Sequence, residues 1–82
     1  MGSIRHRGVR LQIYPEDHLP RHAHCFVGDA EIIVDFDNPE NIKIADRTDA
    51  VSGSKRTDRR NVLLAASERY HDLVRLWEEM HG

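Results

Sequence analysis

The chain has 82 residues, of which 39 % are hydrophobic and 32 % are charged, and its formal net charge at pH 7 is −2. This length predicts a single domain, residues 1–82, with a core of modest size. The single cysteine excludes an internal disulfide, and neither a signal-peptide core nor an apolar run of the roughly 20 residues that cross a bilayer is present. We therefore expect a cytoplasmic protein with no membrane partner.

The first half of the chain, roughly residues 4–45, has the pattern of β-strands. Residues 9–14 alternate apolar and polar side chains, which is typical of a half-buried strand, and residues 4–6 can pair with them through the Arg7-Gly8 turn. Pro15 and Asp17 then indicate a turn. Residues 22–27 and 30–36 flank Gly28-Asp29, a two-residue connection that predicts a hairpin, and residues 42–44 can form a short fifth strand.

The register of this hairpin follows from the side-chain pattern. If Val27 lies opposite Ala30, one face carries only small or apolar side chains, and a slip by one residue would mix the two faces. In this register His22 and His24 share the other face, and Asp35 lies directly across from His22. The full set predicted for that face is His22, His24, Phe26, Glu31, Ile33 and Asp35. Cys25 falls on the opposite face, where we expect it to be a small core side chain.

The second half predicts a loop over residues 46–54 and a helix over roughly residues 55–80. Apolar residues recur there at spacings of three and four, as in a helix that packs on a sheet. They are Val62, Ala66, Tyr70, Leu73, Trp77 and Met80. The predicted fold is therefore α+β, a small antiparallel sheet of four to five strands packed against one long C-terminal helix.

Half of the six histidines fall within residues 18–24, at His18, His22 and His24. Two histidines two residues apart on a strand project the same way and can converge on one Zn²⁺ or another divalent transition metal. His18 can supply a third ligand through the bend at Pro20. Asp35 can be a fourth ligand, or it can hold a histidine ring in place.

The same residues are also compatible with acid–base catalysis that needs no metal ion. His22 and His24 can act as general base and general acid, with Asp35 orienting His22, and Arg21 or Arg47 can stabilise the charge of a phosphate. Such parts suffice for RNA cleavage. The alternative to both hypotheses is a purely structural role, in which the two histidines occupy the polar side of a sheet. The sequence leaves open whether the protein is an enzyme.

Two other groups are candidate contact sites. The basic residues can meet a phosphate backbone, although the overall charge is not positive and no aromatic side chain is interleaved with the basic cluster at the helix start, which favours a solvated face. These candidates are Arg21, Lys55, Arg56, Arg59 and Arg60. Phe26 and Ile33 are apolar on the histidine face and can anchor a protein partner or a second copy of the chain.

The segment Asp17-His18-Leu19-Pro20-Arg21-His22-Ala23-His24, followed by Gly28, Glu31 and a helix with Trp77 near its end, resembles the small prokaryotic domain of unknown function 4160. The resemblance rests on the H-x-P-x-H-x-H run, with Arg21 where the family often has a second proline. It implies a prokaryotic accessory module, associated with toxin–antitoxin-like genes and acting through a protein partner encoded nearby, and it implies no particular reaction.

These observations lead to one expected function and one alternative. We expect a small intracellular module that acts through a protein partner with a histidine-rich surface. That surface consists of His18, His22 and His24, supported by Asp35 and Glu31. The alternative is a metal-dependent or histidine acid–base phosphodiesterase, similar to an RNase-like toxin.

Overall fold

The computed structural model describes residues 2–46, 51–53 and 55–81, which form six strands and two helices. The strands are β1 (Gly2–His6), β2 (Val9–Ile13), β3 (His22–Val27), β4 (Ala30–Asp35), β5 (Lys43–Ile44) and β6 (Val51–Ser52). The helices are α1 (Arg56–Glu68) and α2 (Tyr70–His81). Strands followed by helices make this an α+β fold, as the sequence predicts. No helix in these described ranges is both long and apolar enough to span a membrane.

All strands join one antiparallel sheet in the order β1-β2-β3-β4-β5, and β6 pairs with β4. The predicted register of the β3–β4 hairpin is confirmed: Val27 lies opposite Ala30, and His22 lies opposite Asp35. Gly28, the first residue of the connecting turn, has a φ of 56°. Glycine adopts this angle without strain, so this turn helps to hold the register that places the two histidines on one face.

The core lies between one face of the sheet and the two helices. The predicted small and apolar face of the β3–β4 hairpin is largely buried in it, with Ala23, Cys25 and Ile32 fully inaccessible to solvent. Phe36, which follows β4, is also fully buried and lies with its ring centroid 6.2 Å from that of Trp77 on α2. Burial raises the pKa of the Cys25 thiol to about 12, which agrees with its predicted role as an unreactive core side chain.

The prediction of one long C-terminal helix is wrong in its detail, because the helix is interrupted at Arg69. Arg69 has φ −109° and ψ 24°, outside the helical range, and α2 begins at the next residue. A straight helix over residues 56–81 would be about 39 Å long at 1.5 Å per residue, whereas the molecule's largest extent is 34 Å. The break allows both halves to pack on the core, α1 through Val62 and α2 through Leu73.

The predicted loop over residues 46–54 also needs correction. Val51–Ser52 forms the short strand β6, which pairs with Glu31 and Ile32 of β4. This strand forms because its backbone pairs with β4. It could not be predicted from the sequence, because two residues are too few to show an alternation pattern. The rest of the predicted loop includes residues 47–50 and 54, which lie outside the described residues.

The β1–β2 turn is attached to α1 by a polar cluster. Arg7 donates to both carboxylate oxygens of Glu68, at 2.6 and 2.9 Å, and His6 Nε2 lies 2.7 Å from Glu68 Oε1. Asn61 donates to the backbone carbonyl of Arg7 at 2.8 Å. These contacts stabilise Arg7 in the left-handed region, at a φ of 55° that is unfavourable for a side chain with a Cβ.

This cluster predicts a pH-dependent contribution of Glu68 to stability. The hydrogen bond from Arg7 is the largest of several contacts that lower the pKa of Glu68 from 4.5 to about 2. A carboxylate with a lowered pKa stabilises the fold above its unfolded-state pKa, and this contribution disappears as the pH falls through the folded-state value. We therefore expect Glu68→Gln to lower the melting temperature by at most a few degrees at pH 7, since the pair is exposed, and to have almost no effect at pH 2.

Thermal melts of wild type and Glu68→Gln between pH 7 and pH 2 test this expectation. Glu79→Gln is the matched control, because Glu79 is exposed on α2 and forms no ion pair with any described residue. A difference between wild type and Glu68→Gln that persists unchanged down to pH 2 would contradict the proposed coupling.

Candidate metal centre

The loop that follows β2 brings a carboxylate over the histidine face of the sheet. Residues 14–17 form a tight turn, in which the Asp17 N–H donates to the Tyr14 carbonyl at 3.1 Å. The Asp17 side chain closes the same turn, because its Oδ2 accepts from the Tyr14 N–H at 3.1 Å. Pro15 at the second position suits such a turn. The turn therefore holds Asp17 Oδ2 and leaves the other carboxylate oxygen, Oδ1, for other partners.

Asp17 Oδ1 meets both histidines of β3. It lies 3.5 Å from His22 Nε2 and 3.5 Å from His24 Nε2. Each of the three residues offers a ligand atom within 4.8 Å of the other two. Two ligands bound tetrahedrally to Zn²⁺ at about 2.1 Å lie roughly 3.4 Å apart, so the two separations of 3.5 Å from Asp17 Oδ1 are close to those of a zinc site.

The other ring nitrogen of each histidine is held by an oxygen. His22 Nδ1 lies 2.9 Å from the Pro20 carbonyl oxygen, and His24 Nδ1 lies 3.2 Å from Glu31 Oε2. A carbonyl or carboxylate oxygen only accepts, so each Nδ1 carries the proton and donates it. This is the arrangement that fixes the tautomer of metal-binding histidines, with Nε2 left as the ligand atom.

With the protons on Nδ1, the interactions at the centre of the cluster are electrostatically unfavourable. In the neutral tautomer both Nε2 atoms present lone pairs to the negatively charged oxygen of Asp17. The separation of 3.5 Å exceeds that of an ordinary hydrogen bond. His24 Nε2 is inaccessible to solvent and has no hydrogen-bond partner among the described residues. A cation between the three atoms would satisfy all of them.

The cluster is shielded on one side and open on another. The side chains of Asp17, His22 and His24 are 11 %, 12 % and 16 % exposed. The Tyr14 ring packs edge-on against His24 with the ring centroids 4.8 Å apart, and Trp77 lies 5.8 Å from the His22 ring. Asp17 and His22 also line a pocket of about 470 Å³, so solvent and small molecules can reach the cluster from that side.

The other predicted site residues lie around the three-residue cluster and are not part of it. His18 lines the pocket but is exposed and does not belong to the three-residue cluster. Asp35 is the cross-strand partner of His22 and also lines the pocket. In the part of the chain that the structure describes, however, the carboxylate in contact with His22 is that of Asp17. Glu31 does support His24, as expected from the shared face.

The predicted contact residues fall in several environments. Ile33 packs with Ala45 and is only 3 % exposed, so although it lines the pocket it offers little surface to a partner. Phe26 is half-buried, beside Arg10. Arg21 bonds Asp37, donating to its carbonyl at 3.0 Å. Arg47 lies outside the described residues. The other predicted basic residues are at the start of α1, remote in sequence from the cluster, and they are Lys55, Arg56, Arg59 and Arg60.

Sequence reasoning missed Asp17 as a member of the cluster and treated it as a turn residue only. Two signals could have identified it. Asp17 begins the histidine-containing run, and the Tyr14-Pro15-Glu16-Asp17 turn reverses the chain so that its last residue can face the sheet. A turn residue with two carboxylate oxygens can close the turn with one oxygen and bind with the other, and Asp17 has that geometry.

No family model matches the chain, and neither the curated proteins nor the solved structures contain a match. The geometry of the Asp17–His22–His24 cluster is therefore the basis on which a function can be proposed.

Proposed function

We propose that the protein binds one divalent transition-metal ion, with zinc as the best match, through Asp17 Oδ1, His22 Nε2 and His24 Nε2. The observation that carries this proposal is the convergence of two imidazole Nε2 atoms on one carboxylate oxygen, each at 3.5 Å, while the Nδ1 atom of each ring lies against another oxygen. Imidazole and carboxylate ligands suit zinc. They also suit Fe²⁺ in sites with two histidines and one carboxylate.

Three protein ligands leave a position open on a four-coordinate ion. The pocket beside Asp17 and His22 gives a small molecule access to that position. An ion bound there would supply Lewis-acid polarisation of a substrate oxygen and would make bound water more acidic. This combination supports a hydrolytic reaction more directly than a purely structural site, which is normally closed by a fourth protein ligand.

The charge of the pocket bears on the alternative of a phosphodiesterase. Besides Asp17, its lining contains the carboxylates of Glu16, Asp35 and Asp46, and no lysine or arginine among the described residues. Even one bound divalent cation leaves the lining with a negative balance. Negative charge repels a phosphate ester, so this pocket favours a neutral or cationic substrate over RNA.

The contacts of the histidines make them poorly suited to the expected role as a partner-binding surface. Their side chains are 12 % and 16 % exposed, and both rings are held by hydrogen bonds through Nδ1. A partner could contact only the edges of these rings. Leu19, which is 74 % exposed beside the pocket, is the more suitable anchor for the protein partner implied by the family resemblance.

A zinc titration of protein purified with a chelator and then dialysed tests the metal site. We expect wild type to bind about one Zn²⁺ per chain, and His24→Gln to bind at least a hundredfold more weakly because it loses one of three ligands. His71→Gln is the matched control, since His71 is exposed and contacts Tyr70 on α2.

His18→Gln separates the two possible ligand sets. If Asp17 is the third ligand, His18→Gln binds zinc within about threefold of wild type. If His18 is the third ligand, this variant loses affinity as strongly as His24→Gln. Equal zinc binding by wild type and His24→Gln would overturn the proposal.

A further inference from the structure

A second pocket, remote from the acidic one, is lined by basic and aromatic side chains. It has a volume of about 410 Å³ and lies at the end of the sheet where the β1–β2 and β3–β4 turns meet. Its lining consists of Arg5, Gly8, Val9, Arg10, Phe26 and Gly28. A pocket of this size is within the range of small-molecule sites, and no carboxylate of the described residues lines it.

The two arginines of this pocket are placed against each other. Arg5 of β1 and Arg10 of β2 are cross-strand partners, and both side chains are exposed. Like charges directly opposite one another destabilise a sheet. Neither guanidinium forms an ion pair with a described residue. An anion with two or more oxygens, bound between them, would remove this repulsion and accept hydrogen bonds from both groups.

Phe26 adds an aromatic surface to the same site. It is the cross-strand partner of Arg10, whose guanidinium carbon lies 4.7 Å from the centre of the Phe26 ring. A guanidinium that lies on an aromatic ring forms a flat, cationic platform, and planar groups stack on such surfaces. On its other side Phe26 has Glu31 of β4 as its cross-strand partner, and the carboxylate of Glu31 bonds His24.

We propose that Arg5, Arg10 and Phe26 form a binding site for a phosphate group attached to a planar base, that is, a nucleotide or a nucleotide unit of a single strand. The two guanidinium groups bind the phosphate, and the base packs on the Arg10–Phe26 platform. Basic side chains combined with an aromatic ring on an open sheet face are suited to this chemistry. The site is separate from the proposed metal centre and does not depend on it.

Fluorescence anisotropy with a labelled eight-nucleotide single strand at 50 mM salt tests the proposal, with the chelator present throughout. We expect wild type to bind with a dissociation constant on the order of micromolar. Arg5→Gln/Arg10→Gln should bind at least tenfold more weakly, and the slope of log affinity against log salt should fall by about 1.4, for two lost phosphate contacts. Circular dichroism confirms that the variant is folded.

Two further variants make the test specific. Arg56→Gln/Arg60→Gln removes the same charge from the start of α1 and should change the affinity less than threefold. Phe26→Leu should weaken binding about fivefold or more for a strand with bases and leave an abasic strand unaffected, since stacking requires a base. Competition with a nucleoside monophosphate then identifies the source of the phosphate. If the site recognises a mononucleotide, the monophosphate displaces the labelled strand at a concentration similar to that of an unlabelled strand. If the site recognises a strand, it does not.

Three results would overturn the proposal. They are the absence of saturable binding of both the strand and the monophosphate, wild-type affinity in Arg5→Gln/Arg10→Gln, and an equal loss of affinity in Arg56→Gln/Arg60→Gln, which would indicate attraction by overall charge only.

Discussion

Zinc at a thousandfold excess over its dissociation constant should raise the melting temperature of the wild-type protein by roughly 15–30 °C. A ligand that binds only the folded state contributes about 4 kcal/mol at that excess, and 1 kcal/mol corresponds to about 4–8 °C in a domain of this size. We expect the shift to be largely lost in Asp17→Asn, because an amide oxygen is a weaker zinc ligand than a carboxylate, and to be retained in the control His71→Gln.

The metal-free form of Asp17→Asn makes this test sharper. The asparagine side chain can still accept from the Tyr14 N–H, as Asp17 Oδ2 does at 3.1 Å. It also replaces a charged oxygen that faces two imidazole lone pairs with a neutral amide that can donate to one of them. We therefore expect metal-free Asp17→Asn to melt at or above the temperature of metal-free wild type at pH 8.

The opposite result would point to a different role for the cluster. If Asp17 forms an ordinary ion pair with a protonated histidine, Asp17→Asn loses a favourable interaction and is less stable without metal. A metal-free variant that melts well below wild type, together with a zinc shift equal to that of wild type, would contradict the metal centre.

Phe36→Ala should cause the largest loss of stability among single substitutions in the core. Phe36 is fully buried where β4 ends and lies against Trp77 of α2. Truncation of a buried phenylalanine costs about 3–5 kcal/mol. That is a large part of the roughly 5–15 kcal/mol by which domains are stable, and a chain of 82 residues belongs to the small domains with less buried surface.

Urea unfolding followed by circular dichroism measures this loss. Leu64→Ala is the control, because Leu64 is 39 % exposed on α1 and alanine favours the helix. Its free energy of unfolding should stay within about 1 kcal/mol of wild type. Similar losses in the two variants would mean that Phe36 does not join the sheet to α2. Because Trp77 also lies 5.8 Å from His22, Phe36→Ala should in addition weaken zinc binding.

The core and the metal centre are different parts of one arrangement. The core holds the sheet and helices together, and the metal centre is built on the face of β3 that is not part of the core. His22 and His24 alternate with Ala23 and Cys25 along that strand, and both alternating residues are fully buried. The rigidity of the buried side chains therefore positions the two imidazole rings, while the Tyr14–Asp17 turn positions the carboxylate.

The sequence by itself determined the part of the site that depends on local periodicity. Side chains alternate strictly along a strand, so the apolar pattern of residues 22–35 specified the hairpin register, the pairing of His22 with Asp35 and the face shared by His22 and His24. It also determined the burial of Cys25, because in this register one face carries only small and apolar side chains and Cys25 belongs to that face.

Tertiary structure alone decided the features that depend on contacts between distant segments. Asp17 joins the histidines because the loop after β2 folds over the sheet, and alternation carries no information about a loop. The break at Arg69 follows from the size of the core that the helices cover, and β6 forms because β4 offers it an edge. The same reason applies to Arg5, Arg10 and Phe26, which come from three strands and become one surface only when the sheet assembles.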